Sequence, residues 1–199
     1  MAFEIRPARE ADMPAVARIN RHYILNTVMT FKETVGPLDT YVDTLRAVAA
    51  EGLPYLVAVA RDSSAPITAD VADADAAAPA VLGYAYAKAF RADRPAYRYA
   101  VELTLFCDPE HTGRGLGSAL LTTLLDAVKT TTPRPAAAAA AAAAAPGHPS
   151  HLADGDTAAA PRPIRHVLAV MAVDDQGQQQ GRALKAFYER FGFGLVRLF

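Results

Sequence analysis

Glu102 is the one acidic residue in an apolar stretch that leads into a glycine-rich turn, Glu102-Leu-Thr-Leu-Phe-Cys-Asp-Pro-Glu-His-Thr-Gly-Arg-Gly-Leu-Gly-Ser-Ala-Leu-Leu121. Gly113, Gly115 and Gly117 allow close backbone approach and φ values that other residues avoid. If a helix begins there, its free N–H groups make a site for phosphate or pyrophosphate, and the helix dipole adds roughly half a positive charge. Thr112, Arg114, Leu116 and Ser118 complete this candidate cradle, and Arg114 is placed to pair with a phosphate. A buried Glu has its pKa raised from about 4.3, which suits removal of a proton from an amine. A phosphorylated cofactor and a base to go with it are therefore the first expectation. The plainer readings are a solvent-exposed turn shaped by glycine and a salt-bridged strand Glu.

Other reactive residues give weaker signals. Cys107 has no His near it in sequence, so a thiol nucleophile is not expected. His148, His151 and His166 are scattered without metal-ligand spacing, and His22 reads as an ordinary helix residue. Phe31, Tyr86, Phe90, Arg91, Arg94 and Tyr97 are candidates to line a substrate pocket, where an arginine would grip a carboxylate in a bidentate pair. For these the competing reading is simple packing of loop aromatics.

The elements that would carry these groups follow from hydrophobic periodicity. Short strands are expected at Phe3–Pro7, Tyr55–Ala60, Ala80–Ala87, Tyr97–Cys107 and His166–Val173, with an edge strand at Leu195–Phe199. The near-continuous apolar run from His166 suggests a buried parallel strand. Helices are expected from Ala11 to about Leu25, from an Asp39 N-cap to about Ala50, after the glycine turn to about Lys129, and from Gly181 to Phe191. Met13, Val16, Ile19 and Tyr23 then face inward, as do Tyr41, Leu45 and Val48.

A chain of 199 residues allows one domain with insertions. Residues 62–79, rich in Ala, Asp, Ser and Pro, read as an enlarged hairpin loop. Residues 130–163, with ten consecutive alanines from Ala136 to Ala145, read as a low-complexity insertion. A net charge of −1 gives no electrostatic case for nucleic acid or an anionic membrane. A lone cysteine fits a reducing compartment. Neither a signal peptide nor an apolar run of about 20 residues is evident, and the expectation is a cytoplasmic protein.

Taken together, the strand, the Arg114-Gly-Leu-Gly117 turn, the helix, the apolar strand and Phe187-Tyr-Glu-Arg-Phe-Gly-Phe193 resemble the GNAT superfamily of N-acetyltransferases. Asn20-Arg-His-Tyr-Ile24 with Phe31, the stretch Gly83 to Tyr97, and Arg98-Tyr-Ala-Val-Glu102 resemble its phosphinothricin and methionine sulfone branch. The resemblance implies an α/β fold: a mixed twisted sheet flanked by helices, with splayed parallel strands admitting CoA. It implies acetyl-CoA as acetyl donor, bound along Leu105, Phe106 and Cys107 and by residues Thr112 to Ser118. It implies Glu102 as general base, Tyr188 as proton donor to the departing thiolate, and Phe31, Tyr86, Arg94 and Tyr97 as the acceptor pocket. The implied reaction is direct transfer, in a ternary complex, to the primary amine of a small amino acid or analogue. The alternative is a CoA-binding homologue impaired in catalysis.

Three departures from the family pattern are visible. Thr112 stands where a Gln or Arg is usual, and Asp174 to Gly181 has no Asn where one commonly contacts the cofactor arm. The family continues past the final Gly-Phe with two further strands, so the chain reads as truncated at its C-terminus. A homodimer is usual in the branch.

Overall fold

The computed structural model describes residues 2–61, 80–133, 163–172 and 180–196. The proposed insertions fall largely outside these residues. Along the chain run β1 (Phe3–Pro7), α1 (Met13–Asn26), α2 (Leu38–Ala50), β2 (Tyr55–Ala60), β3 (Val81–Ala89), β4 (Ala100–Cys107), α3 (Leu116–Thr130), β5 (His166–Ala169) and α4 (Gln180–Glu189). The five strands form one sheet in sequence order. The first three pairings are antiparallel and β4–β5 is parallel. This is the mixed α/β arrangement expected from the sequence.

Each helix buries the stripe its sequence marks. Met13, Val16, Ile19, Asn20 and Tyr23 are buried on α1, and Tyr41, Leu45 and Val48 on α2. The entry to α1 is pinned by a bidentate pair: Arg6 donates to Asp12 at 2.8 and 2.7 Å, and the Arg9 N–H adds a third bond at 2.7 Å. Burial alone would push the Asp12 carboxyl up, but these donors outweigh it and hold its pKa below the ordinary value.

α2 differs from expectation at its start. It begins at Leu38 after Pro37, and Asp39 lies within the first turn rather than capping it. The carboxylate is favourable there because it faces the positive end of the helix dipole.

Strand alternation divides the core between the two faces of the sheet. Tyr84, Tyr86 and Lys88 on β3 lie opposite Phe106, Thr104 and Glu102 on β4. This face meets α1, where the Tyr23 and Phe106 rings are 4.7 Å apart. Leu105, Cys107 and Gly83 face α3, whose Leu120, Leu121 and Leu124 are fully buried. Each such leucine contributes roughly 2 kcal/mol through burial.

Strands are shorter than the apolar runs suggest. β4 starts at Ala100 because a 3-10 turn occupies Pro95–Tyr97. β5 ends at Ala169, and Val170 is 48% exposed. Met171 and Ala172 also lie outside any strand, and Val173 falls outside the described residues. Leu195 and Val196 are exposed and outside any strand, and the rest of the expected edge strand lies outside the described residues. Among the described residues no helix is long and apolar enough to cross a membrane.

Gly83 marks where α3 crosses the sheet most closely. A Cβ there would lie 3.0 Å from the Phe106 carbonyl oxygen and 3.1 Å from Leu120 Cδ1. Because a backbone oxygen cannot swing aside, Gly83→Val is expected to destabilise the domain by about 1–3 kcal/mol through overpacking. Urea denaturation reads this directly, and an unchanged midpoint would show that the helix can shift at no cost.

Candidate active site

The parallel pairing of β4 with β5 runs from Ala100↔His166 to Leu103↔Ala169 and then stops. Beyond it the β4 edge has no strand beside it among the described residues. The Tyr23 hydroxyl, from α1, donates to the Cys107 carbonyl at 2.7 Å on that edge. The backbone of Leu105 lies between the last strand pair and this bond. A groove of about 1020 Å³ occupies the opening. It reaches residues of both sheet faces: Glu102, Thr104 and Tyr86 from one, and Leu105, Cys107 and Gly117 from the other.

The glycine turn forms one end of the groove. Gly113 and Gly115 have φ of 74° and 79°, the left-handed region that glycine enters without strain. Gly115 is the N-cap of α3, and no side chain caps this helix start. The N–H groups of Leu116, Gly117 and Ser118 thus have no partner within the helix. A Cβ at Gly113 or Gly115 would meet nothing within 4 Å, so the cradle is open on that side. This donor set fits a phosphate or pyrophosphate group.

Thr112, Gly113, Gly115, Leu116, Gly117 and Ser118 all line the groove. The Thr112 hydroxyl donates to the Pro109 carbonyl at 3.3 Å, so its proton is engaged within the turn. Arg114 is exposed and lies outside the groove lining.

The turn is anchored by Asp108. Its buried carboxylate accepts from Arg18 on α1 at 2.6 Å and from the Glu110 N–H at 3.1 Å. Its own N–H donates to the Leu82 carbonyl at 2.7 Å. Burial pushes this carboxyl up, but the Arg18 and Glu110 hydrogen bonds outweigh it and leave its pKa below the ordinary carboxylate value. His111 Nδ1 is buried 3.7 Å from the same carboxylate without a hydrogen-bond partner.

Glu102 lines the groove, but its surroundings differ from the apolar burial that its sequence neighbours suggest. The side chain is 26% exposed, and Lys88 Nζ lies 3.6 Å from Oε1. Lys88 is the cross-strand partner of Glu102. Three stacked tyrosines, Tyr55, Tyr84 and Tyr86, extend from this pair along the sheet. Behind them Tyr41 donates to Asn20 at 3.0 Å.

Tyr188, on α4, is buried against Phe193 and Phe187, with ring centroids 5.4 and 5.1 Å away. Burial, with a smaller contribution from Cys107, pushes its phenol up to about 12. Burial likewise raises the Cys107 thiol to about 11, so the thiol is protonated at neutral pH.

The four residues expected to form the acceptor pocket separate into two groups. Phe31 and Tyr86 line the groove. Arg94 and Tyr97 do not. Tyr97 packs on Phe90 at 5.4 Å, with the Arg91 guanidinium over both rings, beside a separate depression of about 460 Å³. Arg94 Nε lies 3.8 Å from Asp93 at the surface. Lys88 and Lys32, which the sequence reading passed over, both line the groove. Lys88 was legible in principle, because a two-residue alternation across the β3–β4 hairpin sets it opposite Glu102. Lys32 lies in an irregular loop and carries no such signal.

The sheet split at its parallel pair, with the glycine-lined start of α3 at its mouth, is a mixed α/β fold shared with acetyltransferases of known structure. The chain is similar to the acetyltransferase (GNAT) family, whose model matches residues 44–142. It is 36% identical over 125 residues to the phosphinothricin N-acetyltransferase of Alcaligenes faecalis, covering 62% of this chain and 54% of that protein. With the Streptomyces coelicolor phosphinothricin N-acetyltransferase it shares 34% identity, covering 63% and 64%. The chain thus spans between about half and two thirds of these relatives.

Among solved structures, a Sinorhizobium meliloti phosphinothricin acetyltransferase in complex with acetyl-CoA superposes with a TM-score of 0.51 at 35% identity, covering 63% of this chain and 59% of that one. A putative acetyltransferase from Salmonella typhimurium, solved with its cofactor acetyl-CoA, gives 0.52 at 28% identity, covering 64% and 63%. A Staphylococcus aureus N-acetyltransferase, 19% identical, shares the fold over 97% of this chain and 84% of its own, with a TM-score of 0.61.

The Asp108 anchor has a pH signature. Its pKa is lower folded than unfolded, so its stabilisation is fully present above the unfolded value of about 3.9 and is lost as pH falls through the folded value. Asp108→Asn is therefore expected to be less stable than the parent chain at neutral pH, with the gap closing below about pH 3. Urea melts at both pH values measure this, and a gap independent of pH would contradict the anchor role.

Proposed function

We propose that the chain transfers an acetyl group from acetyl-CoA to the primary amine of a small amino acid or analogue. The observation that carries this reading is the continuous groove. It joins an uncapped, glycine-lined helix start to a carboxylate, Glu102, and a protonated phenol, Tyr188. When bound, acetyl-CoA supplies an activated acetyl thioester.

The chain's own residues then divide the work. The N–H groups at the start of α3 hold the pyrophosphate. The Leu105–Cys107 edge of β4 would take the pantetheine arm, with apolar side chains on the α3 face. Glu102 takes a proton from the acceptor ammonium, directly or through one water, so that the amine attacks the carbonyl in a ternary complex. Tyr188 keeps its proton at neutral pH and gives it to the departing thiolate. No covalent enzyme intermediate is needed. A cytoplasmic setting suits the single reduced cysteine.

A second reading, CoA binding without turnover, draws support from one feature. Lys88 stands on Glu102 at 3.6 Å and competes with a substrate ammonium for it.

Steady-state acetylation of an amino-acid panel, read by release of the CoA thiol, separates the two readings. Glu102→Gln is expected to lower kcat by at least about 100-fold, with the acetyl-CoA Kd unchanged. Tyr188→Phe is expected to lower kcat in the same sense. A fully active Gln variant would remove Glu102 from the mechanism, and a wild-type chain that binds acetyl-CoA but acetylates nothing would favour the second reading.

A further inference from the structure

Lys88 carries a primary amine, the class of nucleophile the proposed reaction consumes, and β3 holds it against the proposed base. It is the cross-strand partner of Glu102, its Nζ stands 3.6 Å from Glu102 Oε1, and both residues line the groove. An acceptor amine must take up much the same relation to Glu102, because proton transfer needs hydrogen-bond reach. Stability does not account for the pair. Its side chains are 47% and 26% exposed, and partly exposed ion pairs add little. The other lysines set the comparison. Lys129 and Lys185 pair with Asp126 and Glu189 at 2.9 and 3.0 Å, but outside the groove lining. Lys32 lines the groove with its ammonium 5.2 Å over the Tyr41 ring. Burial first, and Lys88 second, lower the Lys32 pKa, which makes it the rival nucleophile. Lys88 is the lysine that combines the groove with a carboxylate beside its amine.

Resting on the acetyltransfer reading, we infer that Lys88 is a self-acetylation site: with no acceptor in the groove, the chain transfers the acetyl group to its own Lys88 Nζ. Glu102 takes one proton from the Lys88 ammonium and passes it to solvent. The neutral Nζ bonds to the thioester carbonyl carbon, the carbon–sulfur bond breaks, and the nitrogen loses a second proton to solvent. Tyr188 protonates the departing sulfur and is restored from solvent. One ammonium and one thioester thus give one amide, one thiol and one free proton. The Lys88–Glu102 contact serves as it stands, and the flexible four-carbon stem of a lysine lets the nitrogen follow the carbonyl. The product amide is uncharged. The step therefore occurs once per chain and removes the cation that stands on Glu102.

The test incubates the full chain with acetyl-CoA and no acceptor, after calorimetry has measured acetyl-CoA binding, and reads it by intact-protein and peptide mass spectrometry. One acetyl group on Lys88 is expected, gained at a rate per chain independent of chain concentration, ahead of Lys32, Lys129 and Lys185. Lys88→Arg should gain none over the same time. Glu102→Gln, checked for folding by circular dichroism, should gain it at least about tenfold more slowly. A second probe, S-acetyl-N-acetylcysteamine, carries the thioester without the nucleotide. It should also modify Lys88 first, and more slowly in Glu102→Gln. Modification of Lys32 ahead of Lys88, equal modification of all lysines, a rate proportional to chain concentration, or equal rates with and without Glu102 overturns the inference. So does an unmodified chain that binds acetyl-CoA. Failure to bind acetyl-CoA overturns the acetyltransfer reading itself, and the small thioester then decides the fate of Lys88 separately.

Discussion

The site depends on the early end of one strand pairing. Among the described residues β4 and β5 run together only from Ala100–His166 to Leu103–Ala169. Had the ladder continued, β5 would have taken the hydrogen-bonding edge at Leu105 and Cys107, and the two sheet faces would have remained separate. Because it stops, the edge is open to a ligand and the groove passes through the sheet. Tyr23 closes one carbonyl of the freed edge, limiting the unsatisfied backbone that an opened sheet would otherwise bury. Asp108 then fixes the turn that follows, tying β4 to α1 through Arg18 and to β3 through Leu82. The α3 N-terminus is held at the mouth of the split by these contacts, since no cap of its own holds it there.

The second organising feature is electrostatic. The helix start at one end of the groove offers partial positive charge from its own N–H groups, with Arg114 of the turn outside the lining, which suits a diffuse pyrophosphate. The other end concentrates full charges on Lys32, Lys88 and Glu102 beside a wall of stacked tyrosines. The two ends of the groove thus differ in charge, and they are built by separate elements. Tyr188 lies on α4, on the α3 side of the sheet, whereas Glu102 faces α1. The Glu102 carboxylate and the Tyr188 phenol, on opposite faces, line one groove because the sheet is split between them.

Much of this was legible in the sequence. The inward stripes on α1 and α2 follow from spacing alone, and the glycines at 113 and 115 required a turn only glycine makes easily. The strands at 55–60 and 80–87 were legible as hairpin partners, and β2 and β3 do pair antiparallel. Periodicity failed where tertiary context decides. The run from His166 to Val173 is apolar enough to be a buried strand throughout, but apolarity does not say which residues keep a neighbour, and β5 ends where β4 turns to the groove. Glu102 looked isolated because its immediate neighbours are apolar, whereas its partner Lys88 is fourteen residues earlier and becomes adjacent only through the hairpin register. The arginine and tyrosine at 94 and 97 have the chemistry of a carboxylate site, yet Tyr97 lines a different depression and Arg94 lies beside Asp93 at the surface. Loop residues such as Lys32 carry no periodic signal at all.

The central claim is that the opened sheet and the uncapped start of α3 bind acetyl-CoA. Calorimetric titration of the wild type and of Ser118→Glu tests it most directly. Ser118 lines the groove in the first turn of α3, where an acidic side chain favours the helix but repels a pyrophosphate. The account predicts micromolar binding by the wild type, about −8 kcal/mol, and at least a tenfold loss in the variant with no fall in its melting temperature. A folded wild type that gives no binding heat, or a variant that binds equally well, would contradict it.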